Sequence, residues 1–172
     1  AVTKAIQAAL PHYSIAMVAA VELEFIPSNY QTLTGDKSAM DAIIKYRDFE
    51  GKECFIAIET KYSENLGSNT ASFMKLSGEK YEEKRQKYFE TIKKLNLFLP
   101  DIEDKIRNKP SRLTQLYRNF ILSEAYGNYE GMVSNSIVLA PAKHPSTERE
   151  IESLQKELLP QAKDKIRGVT LE

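Results

Sequence analysis

The chain has 172 residues, of which 42% are hydrophobic and 28% charged, and its formal net charge is zero. This length and balance predict one globular domain over residues 1–172 and exclude a disordered chain. No apolar run approaches the roughly 20 residues that span a bilayer, and the N-terminal region lacks the features of a signal peptide. The single cysteine excludes an internal disulfide and suits a reducing, cytoplasmic compartment.

The residue inventory limits the metals that the chain could bind. One cysteine and two histidines argue against a zinc site built from thiolate and imidazole ligands. A catalytic metal would instead be held by carboxylates, which favours Mg²⁺ or Mn²⁺.

Charge is unevenly distributed along the chain. Residues 75–118 carry 12 basic and 7 acidic side chains, a net charge of +5, whereas the segments on either side are acidic. Such a segment could meet a phosphate backbone, but the surface of a solvated helix explains the same pattern equally well.

The first half of the chain predicts a helix followed by three strands. The predicted elements are a helix at 2–10, strands at 17–26, 41–47 and 54–61, and a loop at 27–37. Pro11 ends the helix, and Gly51 favours a hairpin turn between the second and third strands. Glu22 and Glu24 give the first strand one polar face.

The second half predicts three helices and one more strand. The helices are expected at 79–95, 111–126 and 147–166, and the strand at 136–140. Gly127 is a plausible C-cap, Thr147 with Glu150 forms a capping-box pattern, and Pro160 would bend the last helix. This order predicts an α/β fold (α+β) with a central mixed sheet flanked by helices.

One predicted strand ends in an unusual pair of charges. Because side chains alternate across a strand, Glu59 and Lys61 share one face of the strand at 54–61. The pattern acid-x-Lys occurs four times in the chain, but only this copy ends an apolar strand. It also follows a strand that begins with Asp41, which hairpin pairing can bring near Glu59.

Two carboxylates that share one site repel each other, and a divalent cation relieves that repulsion. Phosphodiester hydrolysis needs such a cation together with a nearby lysine, which orients the nucleophile or stabilises the transition state. From these residues alone, a structural salt bridge between Glu59 and Lys61 at a sheet edge explains the pattern about equally well.

The run Met40–Glu64 resembles the core of the PD-(D/E)XK superfamily, to which many restriction endonucleases and repair nucleases belong. It is most similar to a bacterial restriction endonuclease-like group with the box I-E-V-K-Y-[ST]-E, which here runs from Ile58 to Glu64. Thr60 replaces the common Val; it lies on the opposite face and is not expected to disturb the site. The similarity covers about residue 17 to the end. It includes a Q-L-x-R pattern at 115–118, a late strand at 137–141 and a closing T-L-E at 170–172.

The resemblance implies roles for particular residues. Asp41 and Glu59 would be metal ligands, and Lys61 the catalytic lysine. Glu24 would be an auxiliary acid that completes the metal shell, with Glu22 as its competitor.

The predicted helix at 111–126 would contribute a further site residue. The resemblance makes Gln115 an auxiliary catalytic residue and Arg118 a candidate phosphate ligand, although an exposed helix face is an equally good interpretation of both. Members of this group usually carry helices before the first acidic strand. Here only about twenty residues precede it, so part of the N-terminal support is expected to be absent.

The expected activity is therefore a Mg²⁺- or Mn²⁺-dependent endonuclease of restriction, defence or repair. Its expected substrate is nucleic acid, with DNA as the first expectation, and the sequence does not distinguish DNA from RNA. A homodimer is one compatible assembly, and no membrane association is expected. The alternative is a module that kept the fold but lost cleavage; a transcription- or transport-related partner protein has no positive support. His144 is expected to be a loop residue and Cys54 a core residue.

Overall fold

The computed structural model describes residues 1–61, 74, 76–142, 144 and 146–171. The helices are α1 (Val2–Ala9), α2 (Tyr30–Leu33), α3 (Glu79–Leu95), α4 (Ile102–Asn108), α5 (Gln115–Glu130) and α6 (Thr147–Lys156), with 3₁₀ turns at Pro110–Arg112 and Pro160–Lys165. The strands are β1 (Ile15–Phe25), β2 (Met40–Asp48), β3 (Glu53–Thr60), β4 (Val133–Pro141) and β5 (Ile166–Leu171). None of the helices in these ranges is long and apolar enough to cross a membrane.

The five strands form one mixed sheet in the order β1-β2-β3-β4-β5. The pairs β1–β2 and β2–β3 are antiparallel, whereas β3–β4 and β4–β5 are parallel. The carboxyl ends of β1, β3, β4 and β5 therefore meet the amino end of β2 at one edge of the sheet. The predicted α/β fold, a mixed sheet flanked by helices, is confirmed.

The central strand β3 divides the hydrophobic core between the two faces of the sheet. Phe55 and Ala57 point into the larger cluster, which contains the apolar faces of α3 and α5. Cys54, Ile56 and Ile58 point into a smaller cluster on the other face, packed against Ile6 of α1. Cys54 is 3% exposed, so its predicted place in the core is confirmed. Alternation along β3 thus carries Glu59 toward the face that α5 covers.

Two predictions for the first half need correction. The strand predicted from Met17 begins at Ile15, which is 2% exposed in the smaller cluster and pairs with Asp48. The predicted loop at 27–37 contains α2, because burial of Leu33 and a hydrogen bond from Thr91 Oγ1 to its carbonyl stabilise a turn of helix there. Both differences come from tertiary burial that local composition does not encode.

The helix predicted at 111–126 lies at 115–130 instead. It begins at Gln115 because the Thr114 side chain accepts a hydrogen bond from the Tyr117 N–H and caps the helix. Gly127 is not its C-cap; the last helical residue is Glu130, and the C-cap is Gly131, whose φ of +68° is the left-handed conformation that favours glycine.

The helix α4 was not predicted from the sequence. It has only seven residues, and its buried side chains are Ile102 and Ile106. A single i, i+4 apolar pair is too short a period to distinguish a helix from a loop.

The predicted helix at 147–166 is also wrong beyond residue 156. It ends at Lys156, Pro160 begins a 3₁₀ turn, and β5 follows as a fifth strand parallel to β4. The capping box does not form, since Ser146 is the N-cap residue and has no capping side-chain bond. The Thr147 hydroxyl instead hydrogen-bonds to Nδ1 of His144, a loop residue as expected.

Gly127 has a different function from the predicted one. A Cβ at this position would lie 2.9 Å from both Cβ and Oγ of Ser134 and 3.1 Å from the carbonyl oxygen of Met132. The absence of a side chain therefore lets α5 approach the start of β4 closely.

We predict that Gly127→Ala destabilises the protein by about 1–3 kcal/mol through overpacking, despite the gain in helix propensity. Urea denaturation measures the change in the free energy of unfolding. Asn128→Ala, on the exposed side of the same turn, is the matched control and should change stability by less than about 0.5 kcal/mol. A Gly127→Ala protein as stable as the control would show that the close approach is unimportant.

Candidate active site

The register of the β2–β3 hairpin brings two carboxylates together. Ala42 pairs with Ile58, so Asp41 stands across from Glu59 at the end of the antiparallel pair. Both residues lie on the face that α5 covers. Lys61 follows two residues after Glu59, and its N–H donates a 2.8 Å hydrogen bond to the carbonyl of Leu139 in β4. The three residues predicted to form the site are therefore adjacent at one edge of the sheet.

Glu59 is 4% exposed, and donors surround its carboxylate. The Lys61 ammonium lies 2.8 Å from Oε1, and the Gln115 amide donates to the same oxygen at 2.8 Å. The Asn119 amide donates to Oε2 at 2.6 Å. Gln115 therefore reaches the predicted site from the first residue of α5 and does not lie on an exposed helix face.

Opposing effects act on the pKa of Glu59. Burial is the largest and raises the pKa above its ordinary value, because a low-polarity environment disfavours the charged form. The Lys61 ammonium and the Asn119 amide lower the pKa, while the charge of Asp41 raises it again. The net effect is a raised pKa, which means that the charged form of Glu59 is disfavoured at this site. A second cation nearby would stabilise that charged form.

Asp41 is held by the residue that follows Glu59. Both the N–H and the hydroxyl of Thr60 donate to Oδ2 of Asp41, at 2.6 and 2.7 Å. Thr60, which was expected to lie on the opposite face, therefore contacts Asp41 directly through both its backbone and its side chain. Within the described part of the chain, Oδ1 of Asp41 accepts no hydrogen bond.

The two candidates for the auxiliary acid differ in their surroundings. Glu22 forms a 2.8 Å salt bridge with Lys45. Glu24 lies between the pairs Leu23–Ala42 and Phe25–Met40, and therefore across from Asp41. It is exposed, and its φ of +49° interrupts the regular alternation of β1. Glu24 is thus the better placed of the two acids, while Glu22 already has a cationic partner.

Arg118 contacts the segment that precedes β2. Its guanidinium donates to Oδ2 of Asp36 at 2.9 Å and makes a longer bond to the Ser38 hydroxyl. The Tyr88 hydroxyl donates to the same Asp36 oxygen at 3.0 Å. Arg118 therefore anchors the segment that leads into β2, and its role as a phosphate ligand stays a prediction. The carboxylate of Asp36 neutralises the partly buried guanidinium of Arg118.

The sequence model of the PD-(D/E)XK nuclease superfamily matches residues 1–172. The chain belongs to this superfamily. No curated protein and no solved structure gives a significant match. Membership of the PD-(D/E)XK superfamily points to a nuclease-type phosphodiester hydrolase. The part of the I-E-V-K-Y-[ST]-E box after Lys61 (residues 62–64), and the last residue of the closing T-L-E, lie outside the described residues.

The carboxylate oxygens of the candidate site fit the kind of metal that PD-(D/E)XK nucleases typically use. Asp41 and Glu59 offer two carboxylates on one face, and Mg²⁺ is commonly bound through one or two carboxylates with water completing its shell. Across residues 1–61, 76–142 and the other described positions, no three His, Cys, Asp or Glu residues are grouped closely enough to hold a metal by themselves. The protein would therefore supply a partial set of ligands.

Asn119 is the site residue that sequence reasoning missed. It lies one helical turn after Gln115, so both amides lie on the same side of α5 and reach the two oxygens of one carboxylate. The signal was present as a polar residue within an otherwise apolar helix stripe. Asn119 is 7% exposed, and a buried amide requires hydrogen-bond partners.

We predict that Asn119→Ala lowers the free energy of unfolding by about 2–3 kcal/mol, because it leaves one oxygen of a buried carboxylate without a donor. Thermal or urea unfolding of the metal-free protein measures the loss. Asn128→Ala, the same substitution at an exposed position of α5, is the control. Equal stability of the two variants would mean that the Asn119 amide does not support Glu59.

Proposed function

We propose that this chain is a Mg²⁺-dependent endonuclease, with Mn²⁺ as a substitute, and that it hydrolyses phosphodiester bonds in DNA. The observation that carries the proposal is the grouping of Asp41, Glu59 and Lys61 at one sheet edge, with the Lys61 ammonium 2.8 Å from a Glu59 carboxylate that is only 4% exposed. Superfamily membership supports hydrolysis of this bond type. Restriction, defence or repair would each suit such an enzyme.

The simplest competing explanation is a structural salt bridge. Removing two charges from water costs several kcal/mol per ion, and well-packed apolar residues are often as stabilising as a buried ion pair. A pair kept for stability alone would therefore gain little here. The pair also stands where the carboxyl ends of parallel strands meet, which is the common location of ligand sites in open sheets. Position and energetic cost both favour a functional site.

Each residue has a role that follows from its contacts. Asp41 and Glu59 would hold the metal, with Glu24 as an auxiliary acid that acts through water rather than as a third direct ligand. When bound, Mg²⁺ supplies positive charge to the phosphate and acidifies a coordinated water. The Lys61 ammonium would stabilise the negative charge that develops on the phosphate oxygens. Gln115 and Asn119 would fix the orientation of Glu59 through their 2.8 and 2.6 Å hydrogen bonds, and Thr60 that of Asp41.

A binding module that kept the fold and lost cleavage is the second candidate. Loss of activity normally removes at least one member of the catalytic set, whereas Asp41, Glu59 and Lys61 are all present. The hydrogen bonds that orient both carboxylates also support an enzyme, since a module without catalysis needs no such order.

The first test concerns the metal. We predict that isothermal titration calorimetry detects Mg²⁺ or Mn²⁺ binding to the wild type and none to Asp41→Ala. Asp104→Ala removes an exposed acid of α4 and should bind like the wild type. Glu24→Ala should weaken binding without abolishing it if Glu24 is auxiliary. Unchanged affinity in Asp41→Ala would reduce the Asp41–Glu59 pair to a structural feature.

The second test separates catalysis by lysine from a structural salt bridge. We predict that Lys61→Ala retains metal affinity but cleaves DNA at least about 100-fold more slowly, which corresponds to about 2.7 kcal/mol in the barrier. Lys61→Arg should not restore the full rate, because a planar guanidinium cannot take the place of a compact ammonium.

Lys4→Ala, which removes an exposed lysine of α1, is the control for lost charge. The cleavage assay should include several DNA sequences as well as RNA, so that a missing target is not mistaken for inactivity. Full activity of Lys61→Ala on any of these substrates would contradict the assigned role. A loss of stability without a specific loss of rate would favour the salt bridge.

A further inference from the structure

The basic segment at 75–118 separates into two parts in the structure. In the region of α4, acids neutralise most of the cations. Lys105 and Arg112 both bind Glu157, at 2.8 and 2.9 Å, and Arg107 binds Glu103 at 2.9 Å. This part of the segment therefore offers little uncompensated positive charge to a partner.

The helix α3 is different. It carries a row of lysines that we call the lysine stripe, consisting of Lys80, Lys84, Lys87 and Lys94. At 3.6 residues per turn, these positions lie within about 40° of one line along the helix. Within the described part of the chain, Lys80, Lys84 and Lys94 form no ion pair and no hydrogen bond. These three lysines therefore present positive charge that no ion pair within the described residues neutralises.

Contacts of α3 show which way the stripe faces. The Lys87 ammonium donates to the carbonyl of Gln31, and the Thr91 hydroxyl donates to the carbonyl of Leu33 at 2.6 Å, so this line of the helix borders α2. Three acids lie about 60–100° to one side of the central line of the stripe, which passes through Lys80. They are Glu79, Glu83 and Glu90. Tyr88, on the other side, binds Asp36.

The segment beside the stripe leads to the candidate active site. Asp36 is bound by both Tyr88 of α3 and Arg118 of α5, and Asp41 follows five residues later. Five residues of chain span at most about 18 Å. The stripe itself is about 21 Å long at 1.5 Å per residue, enough for several phosphates of one strand. One DNA strand could therefore contact the stripe and the catalytic carboxylates together.

We propose that the lysine stripe binds the phosphate backbone of the DNA substrate beside the catalytic edge. This inference rests on the proposed nuclease function and specifies the surface that positions its substrate. Lysine ammonium groups neutralise phosphates without reading bases, so the stripe contributes affinity that is independent of DNA sequence and sensitive to salt.

The test compares two triple variants that each remove three positive charges. The stripe variant is Lys80→Gln/Lys84→Gln/Lys94→Gln. The control is Lys4→Gln/Lys156→Gln/Lys163→Gln, at exposed lysines outside α3 with no ion pair in the described part of the chain. Fluorescence anisotropy measures the affinity for a labelled DNA duplex at several salt concentrations, with the metal chelated so that the strand stays intact.

The stripe variant should bind at least about tenfold more weakly than the wild type at about 0.1 M salt. Its plot of log affinity against log salt concentration should be shallower by about 2–3, close to one per lost phosphate contact. The control should keep most of the affinity and the slope. Equal losses of affinity in the two variants, or no loss in the stripe variant, would overturn the proposal that the lysine stripe binds DNA.

Cleavage by the wild type on the same duplex with Mg²⁺ separates the two proposals. If the wild type cleaves the duplex and the stripe variant binds it as well as the control does, the stripe proposal is wrong and the proposed nuclease function stands. If the wild type neither binds nor cleaves DNA, both the stripe proposal and the proposed function on DNA are wrong.

Discussion

The desolvation of one carboxylate, that of Glu59, governs the organisation of this protein around its candidate active site. Glu59 ends a central apolar strand and is 4% exposed, so its charge requires partners that water would otherwise supply. Lys61 offers a cation, and the amides of Gln115 and Asn119 each offer a hydrogen bond. The hydrogen bonds from Gln115 and Asn119 explain why the start of α5 carries polar side chains on the face that packs against the sheet.

The same network has a consequence for chemistry. A carboxylate held by donors at both oxygens keeps one orientation, and the two hydrogen bonds from Thr60 do the same for Asp41. Two preoriented carboxylates bind a cation with little further loss of side-chain entropy. The upward shift in the pKa of Glu59 is the electrostatic cost of its burial, which the donors offset only in part. A divalent cation at the site would offset that cost.

Much of this arrangement could be predicted from local pattern. Strand alternation and a hairpin turn at Gly51 were enough to group Asp41, Glu59 and Lys61, because the period of two fixes the face of each side chain. The contributions of Asn119 and Thr60 could not be predicted, since each depends on how separate elements pack together. The fifth strand, β5, was missed for a related reason: its short segment is stabilised by pairing with β4, which lies far away in sequence.

Diffraction from crystals grown with Mn²⁺ would show whether Asp41 and Glu59 share one divalent cation. The anomalous signal locates the ion without reference to activity. We expect a peak within about 2.0–2.6 Å of an oxygen from each of the two carboxylates. Asp41 would bind through the oxygen that Thr60 does not occupy. Mn²⁺ bound elsewhere, or not bound at all at saturating concentration, would mean that Asp41 and Glu59 do not form a shared metal site.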